Sequence, residues 1–223
     1  MQDRAAELRE LIILCSGMFL EIPGNRAVED AVSRPFQEFP NNTDLGQVLP
    51  KVILLNSLYA TGIMDVQRMA GHIHSLGQEL DAKLDCGDLS AVDDIRIGHG
   101  IRMKTGTEPS FYSFATKYLH WQRPTLFPIF DSLVCRVLPR LNKQFRFHDP
   151  FCQNDLWGYP VLKAVLDSLM AYVNLPQFRY KGMDKGLWVY GKATDPRTKD
   201  NLPPEMSARI RRAMPTVEVG AQA

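Results

Sequence analysis

A lysine and an aspartate stand 14 residues apart in the segment Ser113 to Val134, which reads SFATKYLHWQRPTLFPIFDSLV. Lys117 lies among aromatic residues, and Asp131 follows a Pro-Ile-Phe run. A neutral lysine amine can attack an electrophilic carbon and form an imine, and a nearby carboxylate can stabilise positive charge that develops on that carbon. This chemistry requires surroundings that lower the lysine pKa from its ordinary value of about 10.4.

Both residues also have a purely structural interpretation. A lysine on a helix usually carries a solvated ammonium group. An aspartate at the start of a helix commonly caps it or interacts with its dipole, which contributes about 0.5–2 kcal/mol. The two roles are compatible for Asp131, whereas for Lys117 the solvated and the nucleophilic interpretation remain alternatives.

Composition limits the classes of protein that the chain can belong to. Its 223 residues suffice for one compact unit over residues 1–223, with room for two small lobes that share a cleft. The net charge of +1 excludes a global field that would hold a polyanion, so a nucleic-acid site must be a local basic patch.

The cysteines and the apolar runs bear on the environment of the protein. Cys15, Cys86, Cys135 and Cys152 lie far apart without C-x-x-C spacing, and no secretory signal pattern is visible at the N-terminus. The apolar runs are much shorter than the roughly 20 residues that span a bilayer. We therefore expect a reduced, cytoplasmic protein without a membrane span. His72 and His74 stand two apart on a predicted helix and face different sides, so no metal site or cofactor is predicted.

Apolar spacing predicts a nearly all-helical protein of about eight elements. The first helix carries Leu8, Leu11, Ile12, Cys15 and Phe19 on one stripe. Residues 23–48, rich in proline, asparagine and glycine, are predicted to form a loop. The other predicted helices cover about 49–62, 65–84, a short stretch capped by Ser90, 109–121, 130–142, 155–174, 183–192 and a last one through Arg212. A polar, basic tail begins near residue 195, and residues 217–223 are expected to be disordered.

The helix predicted over 109–121 has two different faces. Its aromatic stripe, expected in the core, consists of Phe111, Phe114, Tyr118 and Trp121. Its opposite face, expected to meet water or a cleft, consists of Ser110, Ser113, Lys117 and His120. Asp131 falls in the first turn of the next predicted helix, where a carboxylate is favourable.

Three stretches resemble the helix-hairpin-helix DNA glycosylases, in particular a compact bacterial branch of the 8-oxoguanine type. Ser113 to Lys117 is similar to the family's glycine-hydrophobic-glycine-x-lysine run, and Arg123-Pro124, Phe127-Pro128 and Asp131 follow as in the family's connection and aspartate. The other stretches are ILLNSLYAT at 53–61 and MDKGLWVYGK at 183–192. Together they span about two-thirds of the chain.

The resemblance implies an all-α, two-lobed fold with a central cleft. It further implies excision of an oxidised purine from double-stranded DNA through a Schiff base on Lys117, assisted by Asp131. It also implies residues that contact the extruded base, namely Asn56, Tyr59, His120, Phe130, Trp188 and Tyr190. The residues expected to contact the DNA backbone are Arg102, Lys104, Ser113, Lys181, Lys185 and Lys192, together with the tail arginines Arg209, Arg211 and Arg212.

The chain also departs from the family pattern. Ser113 and Ala115 replace the two glycines that let backbone N–H groups approach a phosphate, and the lysine-to-aspartate spacing is several residues shorter than usual. The cysteine spacing of an iron–sulfur cluster is missing. These departures leave two alternatives: a glycosylase-fold protein that binds nucleic acid or a nucleotide without cutting it, and a helical subunit of an antiphage defence complex, a setting in which part of this branch is found.

Overall fold

A computed structural model describes residues 2–198 and 202–214, and this part of the chain is helical without any strand. The all-α prediction is thereby confirmed. The helices are α1 (Gln2–Phe19), α2 (Asn25–Glu38), α3 (Leu45–Tyr59), α4 (Val66–Cys86), α5 (Ala91–Arg96), α6 (Tyr112–Gln122), α7 (Ser132–Phe145), α8 (Tyr159–Val173), α9 (Arg179–Thr194) and α10 (Pro204–Ala213). Short 3₁₀ turns cover Gln153–Trp157 and Pro176–Phe178.

The closest helix pair joins the two ends of the chain. α1 packs along α9, and α7, α8 and α10 also contact this pair. Gly186 on α9 permits the close approach, since a Cβ atom there would lie only 2.9 Å from the Ile12 backbone oxygen of α1. This packing fixes the orientation of α9, including the helix face that carries Lys181.

The second half of the packing involves α2 to α6. α3 packs against α4, α5 against α6, and α2 against α3 and α6. α6 is enclosed on all sides: the aromatic stripe predicted for it is buried as expected, and Lys117 and His120 on the opposite face are buried as well, with 4% and 0% exposure. The polar face of this helix is therefore held inside the protein.

The loop prediction for residues 23–48 is wrong over Asn25–Glu38, which form α2. Gly24 turns the chain with a φ of 86°, and Pro35 falls within the last turn, where only one hydrogen bond of the helix is lost. Val32 and Phe36, four residues apart, are buried in the core. Burial of this apolar stripe outweighs the local cost of the proline.

Most other predicted helices are present with shifted ends. The element expected over 155–174 is divided by Gly158 into a 3₁₀ turn and α8, and α4 contains a kink at Gly77, whose φ is 42°. No helix among residues 2–198 and 202–214 is long and apolar enough to cross a bilayer. The stretch 217–223, expected to be disordered, lies outside the described residues.

Candidate active site

A cavity of about 470 Å³ lies between side chains from α1, α2, α3, α6, α7 and α9. This volume is within the range of small-molecule sites. Its walls combine aromatic rings with ionisable groups. The aromatic lining residues are Phe19, Tyr59, Trp121 and Trp188, and the ionisable ones are Glu29, Lys117, His120, Asp131, Lys181, Asp184 and Lys185.

The Lys117 amine makes two hydrogen bonds, donating to Ser113 Oγ at 2.6 Å and to the Phe130 carbonyl at 3.2 Å. No carboxylate oxygen lies within 4.0 Å of it in the part of the chain that the structure describes. Burial lowers the pKa of Lys117, while the charges of Asp131 and Asp184 act in the opposite direction. Two acceptors match the two N–H groups of a neutral amine, so its lone pair remains available.

Asp131 is the N-cap of α7, one residue before the helix begins, whereas the sequence predicted it within the first turn. Its Oδ1 accepts from the backbone N–H groups of Leu133 and Val134 at 2.8 and 3.2 Å. The predicted cap is therefore confirmed, and both cap bonds use the same oxygen. Because Asp131 also lines the cavity, its carboxylate can oppose positive charge there while it holds the end of the helix.

Asp184 on α9 is a second carboxyl group of the same cavity. The residue is half-buried, and its Oδ1 atom is closed to solvent and has no hydrogen-bond partner. Burial, and next the charge of Asp131, raise the pKa of Asp184 to about 7. A carboxyl group with such a pKa exchanges protons near neutral pH, as a general acid or base must.

Two neighbouring side chains of α6 add further unpartnered polar atoms. The His120 Nδ1 lies 2.8 Å from the Phe127 carbonyl, which can only accept, so Nδ1 carries the proton and Nε2 is an acceptor without a partner. Burial lowers the pKa of His120 to about 4, which keeps the ring neutral. The Trp121 Nε1–H is likewise buried and has no acceptor among residues 2–198 and 202–214. Because these two atoms and Asp184 Oδ1 are closed to solvent, a ligand would bond to them only after the side chains turn toward the cavity.

The two lysines of α9 at the cavity share a single carboxylate of α2. Lys181 and Lys185 Nζ lie 3.3 and 2.5 Å from the Glu29 carboxylate. The Lys181 ammonium also stands 4.0 Å from the centre of the Trp121 ring. Burial lowers the pKa of Lys181, and the Glu29 charge opposes that shift. A negatively charged ligand would compete with Glu29 for these cations.

The structure brings most of the predicted site residues together. Those that line the cavity are Tyr59, Ser113, Lys117, His120, Asp131, Lys181, Lys185 and Trp188. Lys192 lies one turn beyond Trp188, with its Nζ 5.0 Å from that ring. Arg102 and Lys104 lie in the exposed loop between α5 and α6, where Arg102 donates to the Gly106 carbonyl. Arg209 of α10 pairs with Glu21, 3.1 Å away.

Three of the predicted base contacts do not line the cavity. The Asn56 amide is occupied by the turn after α3, since it donates to Ile63 O at 2.8 Å and accepts from the Ile63 N–H at 2.8 Å. The Phe130 ring packs on Tyr112 and Trp157, and only its backbone carbonyl reaches the Lys117 amine. Tyr190 is packed against the hydrophobic core.

The run compared with a hairpin turn is helical. Ser113 to Lys117 all lie within α6, and the Ala115 N–H is bonded to Phe111 O at 2.9 Å. The Ala115 N–H is therefore unavailable to a phosphate, and the run is a helix start rather than a glycine-rich turn. Serine and alanine are compatible with a helix, which explains why glycine is not needed here.

Asp184, Glu29 and Trp121 were not predicted as site residues. Lys181, Asp184, Lys185 and Trp188 recur at spacings of three, one and three, which places them on one helix face. That pattern could have indicated Asp184. No comparable signal existed for Glu29, because α2 was expected to be a loop, and Trp121 was assigned to the core alone.

Comparison with known proteins places the chain in a family. The family model HI_0787_N, described as an N-terminal domain, matches residues 20–126, which include Lys117, His120 and Trp121. An uncharacterized protein of Haemophilus influenzae is 34% identical over 163 residues, which cover 72% of this chain and 74% of that protein. No solved structure matches. The chain therefore belongs to the same family as the Haemophilus influenzae protein.

Proposed function

We propose that the cavity is the active site of a DNA glycosylase with lyase chemistry, which removes an oxidised purine of the 8-oxoguanine type. The observation that carries the proposal is the Lys117 amine. It is 4% exposed, its two acceptors match a neutral amine, and it shares the cavity with three carboxyl groups that do not pair with it directly. A buried amine with a lowered pKa is a competent nucleophile.

The residues of the cavity support a balanced sequence of steps. A base turned out of the duplex would stack among Tyr59, Trp121 and Trp188. The Lys117 amine attacks the sugar carbon C1′, the bond from C1′ to the base breaks, and its electron pair leaves with the base. Asp184, whose pKa is about 7, supplies the proton that the departing base takes up.

Asp131 stabilises the positive charge that C1′ carries during this exchange. The Lys117 nitrogen then gives one proton to the Asp131 carboxylate. Opening of the sugar ring breaks the bond from C1′ to O4′, and O4′ takes up that proton while the imine forms. Unpartnered groups of His120 and Trp121 supply an acceptor and a donor for the edge of the bound base.

Helix packing supports a two-lobed arrangement for this function. α2 to α6 pack mainly with one another, and α1 packs with α7 to α10. Both groups contribute walls to the cavity, as a central cleft between two lobes requires. The resemblance of the sequence supports the proposed double-stranded DNA partner, and the helix packing supports the proposed two-lobed fold.

Reductive trapping tests the proposal. The protein is incubated with duplex oligonucleotides that carry single oxidised purines or abasic sites, in the presence of borohydride, which reduces an imine to a stable adduct. We expect an adduct that disappears in Lys117→Ala and persists in Lys83→Ala, a lysine of α4 that pairs with Asp94 outside the cavity. An adduct that survives Lys117→Ala, or no adduct on any lesion, would contradict the proposal.

A second candidate function is binding of nucleic acid or a nucleotide without cleavage, including a role in an antiphage defence complex. The helical conformation of Ser113 to Lys117 favours it, because the glycine-rich turn of the hairpin enzymes is missing among these residues. It predicts steeply salt-dependent binding of DNA together with the absence of any trapped adduct.

A further inference from the structure

A second concave surface borders α7 and the segment that follows it. This groove has a volume of about 1290 Å³. Its charged and aromatic lining residues include Arg136, Arg140, Lys143, Arg146, His148 and Phe151. The mechanism proposed for the cavity uses none of them.

The groove is strongly basic, in contrast to the chain as a whole. Four permanent cations line it against a single carboxylate, that of Asp149. Arg136 is neutralised by Asp195, with its Nε 2.8 Å from Oδ2. Arg140, Lys143 and Arg146 have no carboxylate oxygen within 4.0 Å among residues 2–198 and 202–214. Since the net charge of the chain is only +1, this is a local basic patch of the kind that a polyanion site requires.

The basic residues continue a helix face that begins at the cavity. Ser132 lines the cavity, and Arg136, Arg140 and Lys143 follow it along α7 at spacings of four, four and three. These spacings keep all four residues on one side of the helix. Ser132 and Lys143 are separated by about 16 Å of helix rise, which equals the length of about five nucleotides of duplex.

Aromatic side chains accompany the cations. The His148 and Phe151 rings stand 5.7 Å apart, and both residues are half-buried, so part of each ring faces the groove. Cations that follow a backbone beside rings on which bases can stack are typical of nucleic-acid grooves. An acidic peptide would use the cations and leave the rings without a partner.

We propose that the groove binds the phosphate backbone of the DNA whose base enters the cavity, with Arg140, Lys143 and Arg146 as the phosphate contacts. The choice of DNA rests on the proposed function, whereas the basic groove itself does not. The site adds phosphate contacts to a chain in which Ser113 to Lys117 lie within α6 and do not form the family's glycine-rich turn.

Salt-dependent binding of undamaged DNA tests the groove without requiring catalysis. Fluorescence anisotropy measures the Kd of a labelled duplex between 50 and 300 mM salt for the wild type and for Arg140→Gln/Lys143→Gln/Arg146→Gln. The matched control is Arg9→Gln/Arg34→Gln/Arg68→Gln, which removes the same charge from exposed positions elsewhere. Far-ultraviolet circular dichroism and thermal unfolding verify that each variant is folded. If the triple groove variant is not folded, the single variant Arg140→Gln replaces it in the binding measurement.

We expect the slope of log K against log salt to become shallower by about 2.7 in the groove variant, which corresponds to three lost phosphate contacts. The control should retain the wild-type slope within about 0.5. The proposal would be overturned if both variants lost the same amount of salt slope, or if the groove variant lost none. Binding of labelled polyglutamate is measured in parallel, and a groove variant that loses this binding but keeps DNA binding would also overturn the proposal. At saturating DNA the groove variant should still form the borohydride adduct. If the wild type forms no adduct but the groove variant still shows the shallower salt slope, the proposed enzyme activity is refuted. The groove would then remain a DNA-binding site.

Discussion

Two lysines are buried in the described part of the chain, and their surroundings differ in the number of hydrogen-bond acceptors. Lys51 on α3 is 0% exposed and donates to Phe39 O and Asn41 O at 2.9 Å and to Asn42 Oδ1 at 3.2 Å. When the Gln122 side-chain amide is rotated so that its nitrogen donates to Pro40 O, its oxygen becomes a further acceptor for Lys51 Nζ, at 2.9 Å. Three or more acceptors match an ammonium group. Lys117 has two.

The difference distinguishes the structural role of Lys51 from the nucleophilic role that we propose for Lys117. Burial lowers the pKa of Lys51 to about 8, so it remains a cation at neutral pH, and it contributes to neither the cavity nor the groove. Its contacts join the segment 39–42 to α3. Lys117 opens on a cavity with an incomplete set of acceptors. Burial alone therefore does not identify a nucleophile, whereas the acceptor count together with an adjacent cavity does.

The largest expected effect comes from the same substitution at both lysines. Lys117→Met removes the attacking amine, and we expect the rate of adduct formation to fall by at least about 10³-fold, to the limit of detection. Lys51→Met should leave that rate within about threefold when the protein is folded. Single-turnover borohydride trapping measures both rates. A comparable loss in the two variants would remove the distinction between the lysines.

Stability should respond in the reverse order. Lys51→Met leaves the Phe39 and Asn41 carbonyls without their partner, and we expect the free energy of unfolding to fall by about 2–3 kcal/mol. Lys117→Met exchanges a buried amine for an apolar side chain of similar length, with an expected change of about 0 to 1 kcal/mol toward greater stability. Urea unfolding at pH 7 provides both values. A larger loss for Lys117→Met would show that its amine is structural.

The unfolding free energy should also depend on pH through Asp184. Its folded pKa of about 7 is above the ordinary value of 3.8, so between these values the folded protein keeps a proton that the unfolded chain has lost. Stability from this group is therefore highest at low pH and falls as the pH rises from 4 to 7. Between pH 5 and pH 8, the free energy of unfolding should fall by about 2 kcal/mol less in Asp184→Asn than in the wild type. Parallel curves for the wild type and the variant would contradict a raised pKa.

The same contrast shows what the sequence can predict. Helices such as α1 and α6 could be predicted from the spacing of apolar residues, because this periodicity is a local property of the sequence. α2 was missed because Pro35 and Gly24 suggest a loop while the burial of Val32 and Phe36 depends on distant helices. Lys117 and Asp131 were found from the chemistry of their side chains. Asp184 was not, since its raised pKa results from helices that are remote in sequence.

The smallest effect is expected at Ser113, which supplies one of the two acceptors of Lys117. Its hydroxyl accepts from Nζ at 2.6 Å and donates to Phe130 O at 3.4 Å, so it orients the amine without reacting. Ser113→Ala should slow adduct formation about tenfold, because the amine samples other orientations while its lone pair persists. Ser113→Thr keeps the hydroxyl and should recover most of the rate. If both variants behave like the wild type, the Phe130 carbonyl alone positions the amine. The Ser113 hydroxyl would then play no part in the difference between Lys117 and Lys51.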